Sequence, residues 1–403
     1  MAGPLTHLKV LDLSRVLAGP WAGQILADLG AQVVKVERPD GGDDTRSWGP
    51  PYMKRRDGSQ SDTAAYFLAA NRGKRSIAID MAKPQGAELI RRLAQHSDIL
   101  IENFKVGGLA KYGLDYPRLA ADHPGLIYCS ITGFGQNGPM APRAGYDFLI
   151  QGMAGLMSIT GTPESGPVKV GTAVADLTTG MYAVIGILAA LAHRARTGEG
   201  QHVDMALFDT QLSWLANQNL NYLVGGIVPG RLGNAHPSIV PYQDFPTADG
   251  RLIVAIGNDR QFARFAALLG HGEWSEEGRY ASNAARVRGR DTLVPAIAAI
   301  MARETTQHWR RLLDEAGIPC GPINSIAEAF AEPTAVARGL KVDMAHEEAG
   351  RLSLVANPIK LSATPLDYGL PPPGLGAHSD EILAELGVTD SEREALRAAK
   401  VIG

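Results

Sequence analysis

The chain has 403 residues, of which 45% are hydrophobic and 20% charged, a composition typical of a folded protein of two or more domains. Its 39 lysines and arginines against 42 aspartates and glutamates give a formal net charge of −3, which excludes the strongly basic footprint of a nucleic-acid-binding protein. Two cysteines, Cys129 and Cys320, exclude a disulfide scaffold and a cysteine-based zinc site.

The sequence also lacks the marks of export and of membrane insertion. Its longest apolar run, residues 181–192, is shorter than the roughly 18 residues that span a bilayer. No basic region followed by an apolar stretch stands at the N-terminus, so we expect no secretory signal. We therefore expect a soluble, cytoplasmic protein.

Strands and helices alternate over roughly the first half of the chain, which predicts an α/β fold with a mostly parallel sheet covered on both faces. The predicted strands are 8–13, 32–37, 76–80, 99–102, 126–131 and 202–207. The predicted helices are 21–29, 84–96, 177–196 and 209–223. A long loop rich in glycine and proline, residues 133–145, precedes the third helix and has the character of a functional loop.

A second, smaller domain is predicted from about residue 225 to 322. It begins with a loop, after which come a hairpin, 242–246 and 251–256, that turns at Asp249 and Gly250, and then three helices. These helices are predicted at 260–269, 291–302 and 306–316. The rest of the chain carries a predicted strand at 351–354 and a last helix at 380–386.

The first strand–helix–strand unit raises the question of a dinucleotide site. The segment SRVLAGPWAG contains Gly19 and Gly23, but Pro20 and Trp21 occupy the place where a pyrophosphate would lie, so the fingerprint fails and NAD is not expected. The alternatives are a plain packing unit and a nucleotide-bearing ligand whose phosphates bind Arg38.

Basic residues near the ends of predicted strands and in loops suit a phosphate-bearing ligand, although each alone is typical of a solvated surface charge. They are Arg38, Arg46, Arg72, Lys74, Arg75 and Lys111.

Asp176 stands immediately before the long apolar helix. One interpretation makes it the N-cap of that helix. The other makes it a carboxylate nucleophile that attacks a thioester, with backbone N–H groups at the helix start holding the developing oxyanion. The small neighbours Gly171, Ala173 and Ala175 would leave room for a substrate.

Two features of the predicted smaller domain have similar double readings. The segment AIGNDRQF, residues 255–262, is either a strand-to-helix connection or a mobile flap over a reactive intermediate. His236 is the histidine most expected to face a site, and is otherwise an ordinary hydrogen-bonded loop residue. The histidines are spaced too widely for a metal site, so no metal is predicted.

Several stretches, taken in order, resemble the family III CoA-transferases over nearly the whole chain. Among them are DLSRVLAGPWAGQILADLGAQVVKVERPDGGD (12–43), NRGKRSIAIDMAKPQG (71–86), DILIENFKVGGLAKYGL (98–114), VADLTTGMYAVIGILAAL (174–191) and SIVPYQDF (238–245). The resemblance implies a large Rossmann-like CoA-binding domain built from both chain ends, a smaller inserted α+β domain and an interlocked homodimer. The implied boundaries are 1–224, 225–325 and 326–403.

The resemblance also implies roles for individual residues. Asp176 matches the catalytic aspartate, which forms an acyl-aspartyl anhydride and then an aspartyl-CoA thioester. The positions implied to contact CoA are Arg38, Lys74, Arg75, Asn103, Phe104 and Lys111. The positions implied near the substrate or in the flap are Val16, Leu17, Gly257, Asn258, Tyr146 and His236. No cofactor beyond CoA is implied.

Departures from the family pattern count against two of the reactions that members of this fold catalyse. Formyl-CoA transferases have a glutamine where this chain has Leu17, and a run of glycines where it has Gly257 and Asn258. An acyl-CoA racemase, the alternative on the same fold, needs a histidine where Tyr146 stands and a glutamate where Asp259 stands. The closest likeness is to succinyl-CoA:glutarate and related dicarboxylate CoA-transferases.

We therefore expect transfer of CoA from an acyl-CoA, succinyl-CoA first, to a carboxylic acid, with a dicarboxylic acid as one candidate. A dicarboxylate would need a second cationic anchor, for which the candidates are Arg46, Arg75 and His236. The expected partners are a second copy of the chain, acyl-CoA and the acid, without nucleic acid or membrane.

Overall fold

The structure is a computed structural model that describes residues 3–403. Its strands, in chain order, are β1 (Lys9–Asp12), β2 (Gln32–Glu37), β3 (Tyr52–Lys54), β4 (Gln60–Ala64), β5 (Lys74–Ala78), β6 (Ile99–Glu102), β7 (Ile127–Thr132), β8 (His202–Ala206), β9 (Tyr242–Thr247), β10 (Gly250–Ala255), β11 (Cys320–Pro322), β12 (Lys341–His346) and β13 (Gly350–Val355).

Its helices are α1 (Ala18–Asp28), α2 (Ala65–Leu68), α3 (Pro84–Gln95), α4 (Tyr116–Asp122), α5 (Asp147–Met153), α6 (Leu156–Ile159), α7 (Val174–Thr197), α8 (Leu207–Trp214), α9 (Asn217–Leu223), α10 (Asp259–Leu268), α11 (Asn283–Arg288), α12 (Arg290–Met301), α13 (Thr306–Glu315), α14 (Ile326–Ala331), α15 (Pro333–Ala337), α16 (Ser379–Glu385) and α17 (Asp390–Ala398).

Six parallel strands form the main sheet in the order β5-β2-β1-β6-β7-β8, which confirms the predicted α/β fold. The strand order runs outward in both directions from the central β1/β6 pair. In an open parallel sheet, the crevice for a ligand lies at such a switch point, beyond the carboxyl ends of the strands. The residues that follow β1 and β6 therefore line the expected site.

Both faces of this sheet are buried, because successive side chains of a strand point to opposite sides. On β1, Val10 packs into one core with residues of α1 and α7, and Leu11 packs into another with residues of α3 and α16. Helices thus cover the sheet on both sides, as the alternating sequence pattern predicts.

Helix α7 contacts α1, α5, α8, β7 and β8. It is long and apolar enough to span a membrane by length and composition, but half of its most apolar window is buried and Ala183 and Ile187 lie in the core. The two helices α7 and α1 approach closely at Gly180, since a Cβ at Gly180 would lie 2.6 Å from the Ala18 carbonyl oxygen. We interpret α7 as a core helix.

The chain divides into two units. The larger one contains Met1–Leu156, Lys169–Gly225 and Thr334–Gly403, and is therefore built from both chain ends, as the predicted fold requires. The smaller one contains Gly226–Pro333 together with Met157–Val168, a segment that the sequence analysis had placed in the first domain.

Within the smaller unit, strands β9, β10 and β11 form an antiparallel sheet. Phe245, Leu252 and Phe262 belong to its buried core.

Several predicted boundaries were wrong in ways that matter for the site. Helix α7 begins at Val174 rather than at residue 177, and α1 begins at Ala18 rather than at residue 21. The predicted helix 209–223 is two helices, α8 and α9, separated at Ala216, whose φ of 47° interrupts the helical path. The hairpins β3–β4 and β12–β13 were missed wholly or in part.

The close approach of α1 and α7 is testable with two glycines of the same helix. Gly180→Ala should lower the free energy of unfolding by about 1 to 3 kcal/mol, because the new methyl group meets a backbone carbonyl that cannot turn away. Gly186→Ala should cost less, since its Cβ would meet only the Val203 Cγ1 methyl at 2.9 Å, and alanine favours a helix by about 1 kcal/mol. Urea denaturation measures both, and equal stabilities would contradict the prediction.

Candidate active site

Asp176 is the third residue of α7 and not its N-cap. The N-cap is Ala173, which provides no side-chain hydrogen bond to the helix. Within residues 3–403, no group donates a hydrogen bond to the Asp176 carboxylate and no cation pairs with it, although the residue is only partly exposed. The capping interpretation of Asp176 therefore fails, and its carboxylate is available for chemistry.

The first turn of α7 is capped by Asp147 of α5 instead. Its Oδ1 accepts hydrogen bonds from the Ala175 N–H at 2.8 Å and from the Asp176 N–H at 3.4 Å. Its Oδ2 accepts from Gln151 Nε2 at 2.7 Å. A negative charge at this end of a helix is also favoured by the helix dipole. Asp147 thus takes the role that the sequence analysis offered to Asp176.

These contacts overturn the expectation that N–H groups at the start of α7 hold an oxyanion. Val174 donates to the Thr172 carbonyl at 2.9 Å and Leu177 donates to the Ala173 carbonyl at 3.1 Å. The two N–H groups between them bind Asp147. Because these N–H groups already have acceptors, they are not free to bind an oxyanion.

Burial and the negative charge of Asp147 raise the pKa of Asp176 to about 7, since both disfavour its charged form. A third ionisable group lies nearby: the pKa of Tyr66 is raised by burial and by Asp176, Asp147 and Asp43. Its ring packs edge-on against Trp48, with 5.4 Å between ring centroids. A carboxylate with a pKa near neutrality is more basic than an ordinary one, which is the property expected of a nucleophile.

At the switch point, the chain enters α1 through a strained residue. Val16 has a φ of 71°, in the left-handed region that β-branched residues rarely adopt. Its N–H donates to both carboxylate oxygens of Asp43 at 3.3 Å, and Asp43 pairs with the buried Lys35 at 2.9 Å. A buried ion pair therefore fixes the turn that leads to Leu17, the N-cap of α1.

The start of α1 has backbone donors to spare. Among the residues that the structure describes, none accepts a hydrogen bond from the N–H groups of Leu17, Ala18 or Gly19. The Ala18 carbonyl lies against Gly180, one helical turn after Asp176. N–H groups at a helix start stabilise anions, so this turn can supply what the start of α7 does not.

Across the switch point, Asn103 holds the two crevice loops together. Its Oδ1 accepts from the Arg15 N–H at 2.9 Å and its Nδ2 donates to the Arg15 carbonyl at 2.7 Å. The Arg15 guanidinium lies 5.6 Å from the centroid of the Phe104 ring. Arg15 and Arg38 both pair with Asp44, at 3.0 and 2.9 Å. Two cations thus share one carboxylate at the edge of the crevice.

Comparison with known proteins places this geometry in a family. The model described as CoA-transferase family III matches residues 5–379. The chain belongs to CoA-transferase family III. It is 55% identical over 387 residues to the succinate–glutarate CoA-transferase of Agrobacterium fabrum, covering 95% of this chain and 96% of that protein. It is 42% identical over 383 residues to the human succinyl-CoA:glutarate CoA-transferase, covering 95% of this chain and 86% of the human protein.

A solved structure supports the same conclusion. The crystal structure of a CaiB/BaiF family protein from Brucella suis matches with a TM-score of 0.85 and 50% identity, covering 96% of this chain and all of that one. The family predicted from the sequence is confirmed. The protein is a CoA-transferase and an enzyme of acyl-CoA metabolism.

Lys74, one of the positions implied to bind CoA, is in the interior. Its Nζ donates to Asp12 Oδ2 at 2.9 Å, to the Pro20 carbonyl at 2.8 Å and to Asn71 Oδ1 at 3.0 Å. All three ammonium protons are used there, so the Lys74 side chain has none left for a phosphate group. In this family III CoA-transferase, we therefore assign Lys74 to the support of β1 and α1.

The other implied cations differ in availability. Arg75 is partly exposed and pairs with Glu381 and Glu385 of α16 at 2.7 and 2.6 Å. Lys111 is exposed, with its Nζ 4.7 Å from the Tyr112 ring centroid. Of the three candidate anchors for a distal carboxylate, Arg46 is unsuitable. It is buried, pairs with Glu37 at 2.7 Å and stacks on Phe67.

In the smaller unit, the predicted flap is held by three side-chain contacts. Asn258 is the N-cap of α10 and its Oδ1 accepts from the Gln261 N–H at 2.9 Å. Gln261 Oε1 accepts from the Gly257 N–H at 2.8 Å. Asp259 pairs with the buried Arg286 at 2.7 Å. The strand-to-helix interpretation accounts for these contacts, and a mobile flap stays a prediction.

Two further residues predicted near the substrate, His236 and Tyr146, make ordinary local contacts or are exposed. His236 Nδ1 accepts from the Ser238 N–H at 3.0 Å, and its ring packs edge-on against Tyr242. Burial and Arg290 lower the pKa of His236, which disfavours its use as a cationic anchor. Tyr146 is the N-cap of α5 and is 68% exposed.

Sequence reasoning missed Asp147, Gln151 and Tyr66 as parts of the site. The spacing of Asp147 and Gln151, four residues apart on one helix, could have indicated that they pair. Nothing in the sequence pattern indicates that Tyr66 lies near Asp176. Within residues 3–403, no cluster of three or more His, Cys, Asp or Glu side chains is arranged to hold a metal ion.

The raised pKa of Asp176 predicts a stability gain on its removal. Its folded-state pKa of about 7 lies above the ordinary value of 3.8, so ionisation destabilises the fold progressively as pH rises between the two. Asp176→Asn should therefore raise the free energy of unfolding by about 1 to 3 kcal/mol at pH 8 and by less at pH 5. Urea denaturation at both pH values measures this gain.

The matched control is Asp209→Asn, which changes an exposed aspartate in the first turn of α8. It should show no gain that grows with pH. The same gain for Asp176→Asn at pH 5 and pH 8 would contradict the prediction.

Proposed function

We propose that this enzyme transfers CoA from succinyl-CoA to a dicarboxylic acid of the size of glutarate, with Asp176 as the nucleophile. The names of the 55% and 42% identical relatives support the substrates. The observation that carries the role of Asp176 is its carboxylate, which no described residue binds and whose pKa is about 7. An ordinary structural aspartate at a helix start is hydrogen-bonded or solvated instead.

The first half-reaction exchanges the acyl group and CoA on Asp176. One carboxylate oxygen attacks the thioester carbonyl of succinyl-CoA, the C–S bond breaks, and CoA thiolate leaves a succinyl-aspartyl anhydride. The thiolate then attacks the aspartyl carbonyl of that anhydride. Succinate departs, and CoA is held as a thioester of Asp176. Protons balance, because carboxylate and thiolate anions replace one another.

The second half-reaction runs the same steps in reverse with the acceptor acid. Its carboxylate attacks the aspartyl thioester and releases CoA thiolate, which then attacks the acceptor carbonyl of the new anhydride. The products are the acceptor's CoA thioester and free Asp176. Each attack passes through an oxyanion, for which we propose the unused N–H groups at the start of α1 as donors.

For CoA itself, we propose binding at the crevice edge by Arg38, Arg15 and Phe104. The two guanidinium groups share Asp44, so one positive charge is left over for a phosphate group. An aromatic ring beside them offers a stacking surface for a nucleotide base. Lys74 has no part in this proposal, since its donors are used inside the fold.

We also propose that the enzyme works as a homodimer. Large apolar side chains stand exposed on consecutive helices of the larger unit, which favours burial against another chain. They include Tyr182, Ile185, Leu212, Trp214, Tyr222 and Leu223. The interlocked form of the dimer and the cytoplasmic location stay predictions.

Asp176→Ala should abolish CoA transfer from succinyl-CoA to glutarate, because neither covalent intermediate can form. Mass spectrometry of the natural enzyme incubated with succinyl-CoA alone should find CoA attached to the peptide that contains residue 176, and no such adduct on the variant. CoA binding, measured by calorimetry, should persist in the variant. Transfer at the natural rate by Asp176→Ala would refute the proposal.

A deuterium-exchange assay tests the racemase alternative. A racemase would introduce solvent deuterium at the α-carbon of a 2-methylacyl-CoA without any acceptor acid. Deuterium incorporation together with absent transfer would favour that alternative.

Arg38→Ala should raise KM for succinyl-CoA about ten- to hundredfold and leave kcat nearly unchanged, because a charge-assisted bond to a phosphate group contributes about 1.5 to 3 kcal/mol. Arg118→Ala is the matched control, since Arg118 is an exposed arginine on α4 that pairs only loosely with Asp122, at 3.8 Å. Initial rates at varied succinyl-CoA measure both. An unchanged KM for Arg38→Ala would remove Arg38 from the CoA site.

A further inference from the structure

We propose that Asp147 is a positioning residue that holds Asp176 ready as a nucleophile by binding the backbone of the helix turn that carries it. This inference rests on the role of Asp176 proposed above. Asp147 itself forms no bond to a substrate in this proposal.

The contact is unusual because the cap comes from another element. Helix α7 has alanine at its N-cap position, and alanine has no side chain that can accept the first N–H groups. Asp147, from α5, accepts two consecutive N–H groups with one oxygen, at 2.8 and 3.4 Å. The second of these is the N–H of Asp176 itself, so Asp147 binds the backbone of the proposed nucleophile directly.

A fully buried glutamine completes the arrangement. Gln151 donates to Asp147 Oδ2 at 2.7 Å, and its Oε1 accepts from the Val170 N–H at 2.9 Å. The segment before α7 and the first turn of α7 are thereby tied to the same helix, α5. Rotation of this turn would break partly buried hydrogen bonds on both sides of Ala173, which makes the position of Asp176 well defined.

The same contact limits the hydrogen bonds that the Asp176 carboxylate can form within its own helix. An acidic residue at the third position of a helix often turns back to bind the N–H groups at the helix start. Here Asp147 occupies the N–H groups of Ala175 and Asp176, and its negative charge repels a second carboxylate on this turn. These two N–H groups are therefore not available to the Asp176 carboxylate.

Charge gives Asp147 a second effect on the reaction. Its negative charge disfavours the anionic form of Asp176, so the anion that does form is more basic. Tyr66, on α2, is the other ionisable group that interacts with Asp176. The remaining ionisable side chains on the elements packed against α7 are Asp28, Tyr128, Cys129, His202, Asp204 and Asp209.

The pH profile of transfer separates this role from a purely structural one. Asp147→Asn removes the charge and keeps an oxygen that can accept from the Ala175 N–H. The acidic limb of kcat against pH should then move to lower pH by about one unit, because Asp176 ionises more readily. On the high-pH plateau, kcat should fall about three- to tenfold, because the anion is less basic. A merely structural loss would lower kcat equally at every pH.

A second variant keeps the test valid if the first folds poorly. In Asp147→Asn, the new amide group faces the Gln151 amide, donor against donor. Adding Gln151→Glu provides one carboxylate oxygen that accepts from the new amide group at residue 147 and another that accepts from the Val170 N–H. The negative charge then lies on residue 151 instead of residue 147. The double variant should regain thermal stability. The acidic limb of its kcat–pH profile should lie between those of the natural enzyme and the single variant.

The outcomes distinguish the inference from the proposed function. Asp209→Asn, the matched control on α8, should leave the profile unmoved. An unshifted limb in both Asp147 variants, with the CoA adduct still formed on Asp176, would overturn the role of Asp147 and leave the proposed function standing. Natural activity of Asp176→Ala would overturn both.

Discussion

A helix that begins without a capping side chain needs acceptors for its first N–H groups from elsewhere in the fold, and α7 obtains them from Asp147. The chemistry proposed for the enzyme depends on this hydrogen bond. Because Asp147 binds the turn, the Asp176 carboxylate is left without a partner in a partly buried place, where its pKa rises to about 7. The arrangement that holds the helix in place is thus also one of the causes of the raised pKa of its aspartate.

The crevice at the switch point also depends on buried polar contacts that fix the backbone. Four buried charged groups, Asp12, Lys35, Asp43 and Lys74, lie beneath the loop between β1 and α1. Burying ion pairs costs desolvation energy and seldom stabilises a fold more than apolar packing does. What these pairs achieve is a defined backbone path, since Asp43 holds Val16 in a conformation that a valine avoids. The unused N–H groups of α1 follow directly after that residue.

Much of the fold follows from sequence patterns, and the failures have identifiable causes. Strands β2 and β6 were predicted with their observed ends, because each is a short apolar run bounded by turn residues or by acidic ones. The start of α7 was missed because Val174–Asp176 shows no apolar periodicity, and its cap lies far away in sequence. Lys74 was misjudged because a lysine beside Arg75 suggests a surface, whereas its partner Asp12 is on another strand.

The clasp between Asn103 and Arg15 involves only the main chain of Arg15. Residue 15 can therefore exchange its side chain without disturbing how β1 and β6 are joined above the crevice. If CoA binds as proposed, a change of the side chain at residue 15 would alter the binding of the nucleotide end of the thioester and leave the surroundings of Asp176 unchanged. Such separability would let one scaffold serve many pairs of acids with a common carrier.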